Sequence, residues 1–66
     1  MEEKFYYVSI NGGKQVIPIF CTEKEVKEVG TAIGKGLLAD SCTISLTERD
    51  AWDGYKEPYM VLWDCM

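Results

Sequence analysis

The first third of the chain alternates between apolar and polar positions on both sides of a glycine-rich break, which predicts a β-hairpin. Residues 4–10 and 15–21 are rich in β-branched and aromatic side chains, as strands are. Residues 11–14 read Asn-Gly-Gly-Lys, and asparagine and glycine accept the positive φ of a tight turn at little cost. Pairing Ile10 with Gln15 sets the register. Pro18 has no amide donor, which places the second strand at a sheet edge.

This register divides the hairpin into two faces, because successive residues of a strand point to opposite sides of a sheet. The face predicted to meet the core carries Tyr6, Val8, Ile10, Ile17, Ile19 and Cys21. The opposite face, called the outer face below, carries Phe5, Tyr7, Ser9, Val16, Pro18 and Phe20.

Helical spacing replaces the alternation after residue 22 and predicts a helix over residues 23–38. Thr22 and Glu25 have the spacing of a capping box at its start, with Cys21 and Val26 at the positions of a hydrophobic staple. The predicted buried stripe consists of Val26, Val29, Ile33 and Leu37.

Two glycines, Gly30 and Gly34, flank this stripe one turn apart. Glycine inside a helix destabilises it by about 1 kcal/mol relative to alanine, so these two glycines are expected to have a structural role. Close approach of the helix to the sheet is the favoured reason. The alternative is a helix that ends near Gly34 or Gly36 with a glycine cap.

The last third predicts a second hairpin. Residues 42–47 alternate as a half-buried third strand and residues 59–65 form the fourth, with Asp53-Gly54 as a two-residue loop. The implied cross-strand pairs are Trp52 with Tyr55, Leu46 with Val61, Ile44 with Trp63, Cys42 with Cys65, and Asp50 with Glu57.

Together these elements predict one α+β domain over residues 1–66, with a single helix packed on a four-stranded, mainly antiparallel sheet in the order ββαββ. The predicted core is Tyr6, Val8, Ile10, Ile17, Ile19, Val26, Val29, Ile33, Leu37, Ile44, Leu46, Val61 and Trp63.

Composition excludes several classes of protein. No apolar run approaches the ~20 residues that span a bilayer, and the N-terminus lacks the basic and apolar regions of a signal peptide. We therefore expect a cytoplasmic protein, in the host cytoplasm if it is phage-encoded. Three widely spaced cysteines favour reduced thiols over a disulfide framework.

Catalytic motifs are weak. The chain has no histidine, the commonest general base, and no serine or cysteine has an evident activating partner. Residues 30–36 partly match a phosphate-binding loop, but the motif is one residue short and Gly36 stands where serine or threonine should hold magnesium. A cysteine-only zinc site would need a fourth ligand. We therefore expect that the protein is not an enzyme and that it binds neither a metal ion nor a cofactor.

The charge of the chain is uneven. Residues 1–39 carry five acidic and five basic side chains, whereas residues 40–66 carry six acidic and two basic ones and so account for the whole net charge of −4. Such an excess disfavours direct binding of nucleic acid and favours a protein partner with a basic surface.

Two surfaces are candidates for that partner. The outer face is expected to expose Phe5, Tyr7, Phe20, Met60 and Leu62, a patch that a partner or a second copy would cover. The tip of the second hairpin combines acidic and aromatic side chains in Asp50, Trp52, Asp53, Tyr55 and Glu57. The alternative for both is structural, since aromatic residues suit strands and the tip rings can fold back over the helix end.

The sequence therefore favours a non-catalytic protein-binding module that acts as a stoichiometric inhibitor or regulator of a basic, nucleic-acid-handling protein. A small acidic chain of this kind fits the phage and mobile-element proteins that block host defence enzymes, such as anti-CRISPR proteins, where carboxylates mimic a phosphate backbone. The alternative is a homodimeric module or assembly subunit that binds a small ligand between sheets.

Overall fold

Four antiparallel strands form one sheet with a helix on each face, and their spatial order is Gln15–Thr22, Glu3–Ile10, Cys42–Ser45 and Met60–Trp63. A computed structural model describes residues 2–53 and 57–64. The elements in chain order are β1 (Glu3–Ile10), β2 (Gln15–Thr22), α1 (Val26–Gly36), β3 (Cys42–Ser45), α2 (Glu48–Asp53) and β4 (Met60–Trp63). The predicted α+β class and four-stranded sheet are confirmed. The prediction had a single helix, and the second helix, α2, was not predicted.

The first hairpin matches the sequence prediction in register, turn and position. Ile10 pairs with Gln15, and β2 is an edge strand. The turn uses positive φ at three consecutive residues, Asn11 (53°), Gly12 (71°) and Gly13 (93°). The inward face is the centre of the core, since Tyr6, Val8 and Ile10 are at most 2% exposed.

Helix α1 is shorter than predicted at both ends. Residues 23–25 form a turn, and the helix begins at Val26 with Glu25 as its N-cap. Half of the predicted capping box is present, because the Glu25 carboxylate accepts hydrogen bonds from the Thr22 backbone amide at 3.2 Å and hydroxyl at 2.8 Å. These bonds hold the pKa of Glu25 below its usual range. Cys21 and Val26 are both buried, as a staple requires.

The helix glycines allow close contact with the sheet, the favoured interpretation of the pattern. A Cβ atom added at Gly30 would lie 2.6 Å from Ile44 Cδ1 and 2.9 Å from Leu62 Cδ1. The alternative is correct that the helix ends at Gly36 but wrong about a glycine cap, because Leu37 and Leu38 close the helix.

The second hairpin does not form as predicted, because α2 occupies the chain between β3 and β4. Thr47 caps this helix: its Oγ1 accepts the amide of Asp50 at 3.1 Å, and its carbonyl accepts the amide of Ala51 at 3.0 Å. Acidic residues in the first turn, Glu48 and Asp50, suit the positive end of the helix dipole. The capping signal of Thr47 and Asp50 therefore prevails over the hairpin signal of Asp53-Gly54, and Asp53 becomes the last residue of the helix.

A β-bulge between Cys42 and Thr43 sets the register of β4. The observed Cα pairs are Cys42 with Trp63, Thr43 with Val61 and Ile44 with Met60. The predicted pairs of Leu46 with Val61 and Ile44 with Trp63 are therefore wrong, and Cys65 and Tyr55 lie outside the described residues.

The shifted register and the bulge reverse the predicted sides of Met60, Val61 and Leu62, whereas Trp63 remains on the core side as predicted. Met60, Leu62 and Trp63 pack against the core, whereas Val61 is 54% exposed. Two further predicted core residues, Leu37 and Leu46, are 46% and 49% exposed. The remaining predicted core positions are buried or packed against the buried cluster, apart from Val29, which is half-buried.

Candidate protein-docking face

Helix α2 lies on the outer face of the sheet. The hydroxyl of Ser9, an outer-face residue of β1, donates a 3.5 Å hydrogen bond to the carbonyl of Ala51. Ala51 is 6% exposed, and the small polar side chains beneath the helix, Ser9 and Ser45, are 5% and 2% exposed. The chain itself therefore covers part of the face that the sequence left open to a partner.

The same helix presents a tryptophan to solvent. Trp52 follows the buried Ala51 directly, yet its side chain is 68% exposed. Glu48 is exposed on the same helix, and Asp50 is half-buried. The predicted pairing of Asp50 with Glu57 across a hairpin is wrong, because Asp50 is helical, and Glu57 is exposed in the segment that leads to β4.

The remaining outer face carries an exposed aromatic pair. Phe5 and Phe20 are opposite one another on β1 and β2, with ring centroids 4.7 Å apart and planes tilted by 49°. They are 62% and 54% exposed, and Tyr7 beside them is half-buried. The prediction that these three residues face away from α1 is confirmed by the burial of Tyr6 and Val8 between them.

Two candidate surfaces that the sequence treated separately thus lie on one side of the sheet. Phe5 is four residues from Ser9 along β1, which corresponds to about 13 Å at the rise of a strand. We define the docking face as the exposed side chains of α2 together with the outer-face residues Phe5, Phe20 and Val61, which are exposed, and Tyr7, which is half-buried.

A cleft of about 230 Å³ separates α2 from β3 and β4. Its lining comprises Gly12, Thr43, Ser45, Asp50, Ala51, Pro58, Val61 and Asp64. The volume is below the roughly 300 Å³ at which small-molecule sites begin. Asp50 and Asp64 make this cleft acidic, and Thr43 and Ser45 contribute its hydroxyl groups.

Other predicted partner residues fall elsewhere. Met60 and Leu62 belong to the core, because the bulge turns them toward α1, and they are not outer-face residues. Tyr55 and the side chain of Asp53 lie outside what the structure describes.

Sequence reasoning missed one polar contact, which joins the start of β4 to the turn before α1. The Tyr59 hydroxyl donates a 2.7 Å hydrogen bond to the Glu23 carboxylate, and this bond raises the pKa of Tyr59 to about 12. The Tyr59 ring also lies 5.7 Å from that of Tyr6, between centroids. No local pattern links residues 36 positions apart, so the register of β4 had to be known first.

The cysteine thiols of the described chain are poor candidates for chemistry. Cys21 and Cys42 are free and buried, and burial raises the pKa of both. A thiol with a raised pKa remains protonated and is a weak nucleophile and metal ligand. Within residues 2–53 and 57–64, no group of three or more histidine, cysteine or acidic residues could hold a metal ion.

None of the helices in the described ranges is long and apolar enough to cross a membrane. Comparison of the chain with protein-family models, curated proteins and solved structures found no match.

Proposed function

We propose that this chain is a non-catalytic binding module that docks through the docking face onto a protein with a basic surface. The partner class is a nucleic-acid-handling protein, and the action is stoichiometric inhibition or regulation, as in phage or mobile-element proteins directed against host defence enzymes.

One observation carries this proposal: Trp52 is 68% exposed on a helix that is otherwise anchored by a buried residue. Tryptophan is among the residues most enriched at interface hot spots, where its truncation typically removes about 2 kcal/mol or more. The hydrogen bond from Ser9 to Ala51 and the Thr47 cap hold the helix in place, so that the indole is presented from a fixed support.

The charge around the indole indicates the kind of partner. The described side chains on or beside α2 include four carboxylates, those of Glu48, Asp50, Glu57 and Asp64, and one basic group, Arg49. The negative charge of this surface attracts a partner with a basic groove, over a distance that becomes shorter as the salt concentration rises. In that groove the carboxylates compete with the phosphate backbone of a nucleic acid. An aromatic anchor within an acidic rim combines a slow dissociation rate with a fast, charge-steered association rate.

The alternative is a homodimeric module or assembly subunit, and for it a small ligand held between two sheets is disfavoured by α2. Packed sheets lie about 10 Å apart, and a helix on the outer face prevents a second sheet from approaching that closely.

The proposal is tested by capturing the partner from the source cell with immobilised wild-type chain, Trp52→Ala and Leu37→Ser. Leu37→Ser is the control, because it removes an exposed apolar side chain from the opposite, α1 side of the sheet. We expect a protein retained by the wild-type chain and the control, lost with Trp52→Ala, and displaced by duplex DNA. A partner retained equally by Trp52→Ala would contradict the proposal.

A further inference from the structure

Helix α1 ends in a Schellman motif that has leucine where glycine is usual. The amide of Ala39 donates to the Gly34 carbonyl at 3.0 Å, and the amide of Leu38 donates to the Lys35 carbonyl at 3.1 Å. This pattern requires a left-handed residue after the helix, and Leu38 has a φ of 55°. Glycine takes this conformation freely, whereas a leucine Cβ atom makes it strained.

Leu38 is also the most exposed of the large apolar side chains described, at 88%. The position thus combines backbone strain with an apolar side chain in water, and neither helps the isolated domain to fold. Backbone strain of this kind clusters at functional sites, so Leu38 is a candidate contact residue.

The surface around Leu38 has both a projection and a recess. A shallow groove of about 360 Å³ lies beside the leucine, lined by Gly34, Lys35, Leu38, Ala39 and Trp63. The indole NH of Trp63 donates to the Ala39 carbonyl at 2.9 Å, which fixes the wall of the groove. A projecting leucine next to an apolar recess is self-complementary, the property that a two-fold interface requires.

We propose that a second copy of this chain docks here, with Leu38 of each copy inserted into the Gly34–Trp63 groove of the other. This inference goes beyond the proposed function and does not depend on it.

Local charge supports a second copy as the occupant. The whole chain has a net charge of −4, so two copies repel through most of their surface. The segment around Leu38 is an exception, since it carries one lysine, Lys35, and one aspartate, Asp40, both exposed. A two-fold contact centred between these residues can set the lysine of one copy against the aspartate of the other.

The size of the surface sets the strength of the dimer. A contact made by Leu38, Ala39 and Trp63 buries less than the roughly 1,200 Å² of a stable interface, so a dissociation constant between about 10 µM and 1 mM is expected. Because the groove lies on the α1 side of the sheet, this dimer leaves both docking faces free and would bind a two-site partner with avidity.

The proposal is tested by sedimentation equilibrium from about 10 µM to 1 mM on the wild-type chain, Leu38→Gly and Leu38→Asn. Both substitutions tolerate a positive φ, so the fold is kept. Leu46→Ser and the double variant Phe5→Ser/Phe20→Ser are controls that remove exposed apolar side chains elsewhere.

We expect the wild-type chain and both controls to dimerise, and the Leu38 variants to remain monomeric or to weaken the dimer at least tenfold. At about 10 µM, Leu38→Gly should melt about 4 °C higher than the wild-type chain, because the strain is removed. A wild-type chain that stays monomeric up to 1 mM would overturn the proposal. So would a dimer that survives both Leu38 substitutions, or one lost only in the Phe5/Phe20 variant.

Discussion

The indole ring of Trp63 occupies the space that a side chain at Gly34 would fill. A Cβ atom added at Gly34 would lie 2.5 Å from Cη2 and 2.8 Å from Cζ2 of Trp63, with the Cys42 sulfur at 2.9 Å. The glycine thus allows α1 to rest directly on the ring that closes the core at β4.

Gly34→Ala should therefore destabilise the domain by about 1–3 kcal/mol, the usual effect of overpacking, despite the better helix propensity of alanine. Gly36→Ala is the matched control, since nothing lies within 4 Å of a Cβ atom there, and it should stabilise the domain by up to about 1 kcal/mol. Urea unfolding of both variants measures the difference. Equal stabilities would mean that the contact between α1 and Trp63 is looser than described.

The bond between Tyr59 and Glu23 makes stability depend on pH in the alkaline range. The pKa of Tyr59 is raised from its ordinary value of 10 to about 12 in the folded chain. A raised pKa in the folded state stabilises the domain below the unfolded value, and that stability is lost as pH rises from about 10 to about 12. Unfolding measured across this range should show a decline that is smaller in Tyr59→Phe. A spectroscopic titration of the tyrosines in which no tyrosine has a higher pKa than the others would contradict the hydrogen bond between Tyr59 and Glu23.

The Thr47 cap is expected to hold α2 on the outer face. Thr47→Ala removes the acceptor for the Asp50 amide, which should cost about 1 kcal/mol and expose the backbone of α2 to solvent. Hydrogen exchange of the α2 amides, and of Ala51 above all, should become faster than in a Thr31→Ala control on α1. Unchanged exchange at Ala51 would indicate that burial of its side chain suffices to hold the helix.

The described cysteines should behave as buried thiols. Cys42 is fully buried and its sulfur lies 3.5 Å from the Gly30 carbonyl, so alkylation of the folded chain should leave it unmodified. Alkylation after denaturation without reductant should modify all three cysteines of the chain, as expected for reduced thiols. Mass spectrometry distinguishes the two states. Loss of two alkylation sites in the denatured chain would reveal a disulfide.

The parts of the fold that the sequence predicted correctly are those set by local signals. The turn at Asn11 and the alternation around Val8 determine the first hairpin, because turn and pattern agree on one register. In the second half, β3 and β4 were predicted, but their connection and register were wrong because two signals conflict there. Thr47 with Asp50 favours a helix cap and Asp53-Gly54 a hairpin, and the choice depends on whether Ala51 finds a place against Ser9.

The candidate site shows the same division. The exposure of Phe5 and Phe20 follows from the alternation of β1 and β2, whereas the exposure of Trp52 depends on α2, which the sequence did not predict. The role of all three as partner residues stays a prediction. Met60 and Leu62 were assigned to the wrong face, since a bulge between Cys42 and Thr43 leaves no signature in composition or spacing. The position of α2 on the outer face, which joins the two surfaces, depends on contacts between residues 42 positions apart.

The central claim is that an acidic face built around α2 docks on a basic partner. Its most direct test is the association rate with the captured partner, measured across a range of salt concentrations. The variant Glu48→Gln/Glu57→Gln/Asp64→Asn neutralises three exposed carboxylates from β3 onward, on or beside the docking face. The control Glu2→Gln/Glu25→Gln/Glu28→Gln makes the same change in net charge with exposed residues that lie outside the docking face, and glutamine at position 25 keeps the oxygen that accepts from Thr22.

We predict that the docking-face variant associates roughly tenfold more slowly at low salt and with a flatter salt dependence, whereas the control stays close to the wild-type chain. Association of the docking-face variant at the wild-type rate throughout the salt range would contradict the claim.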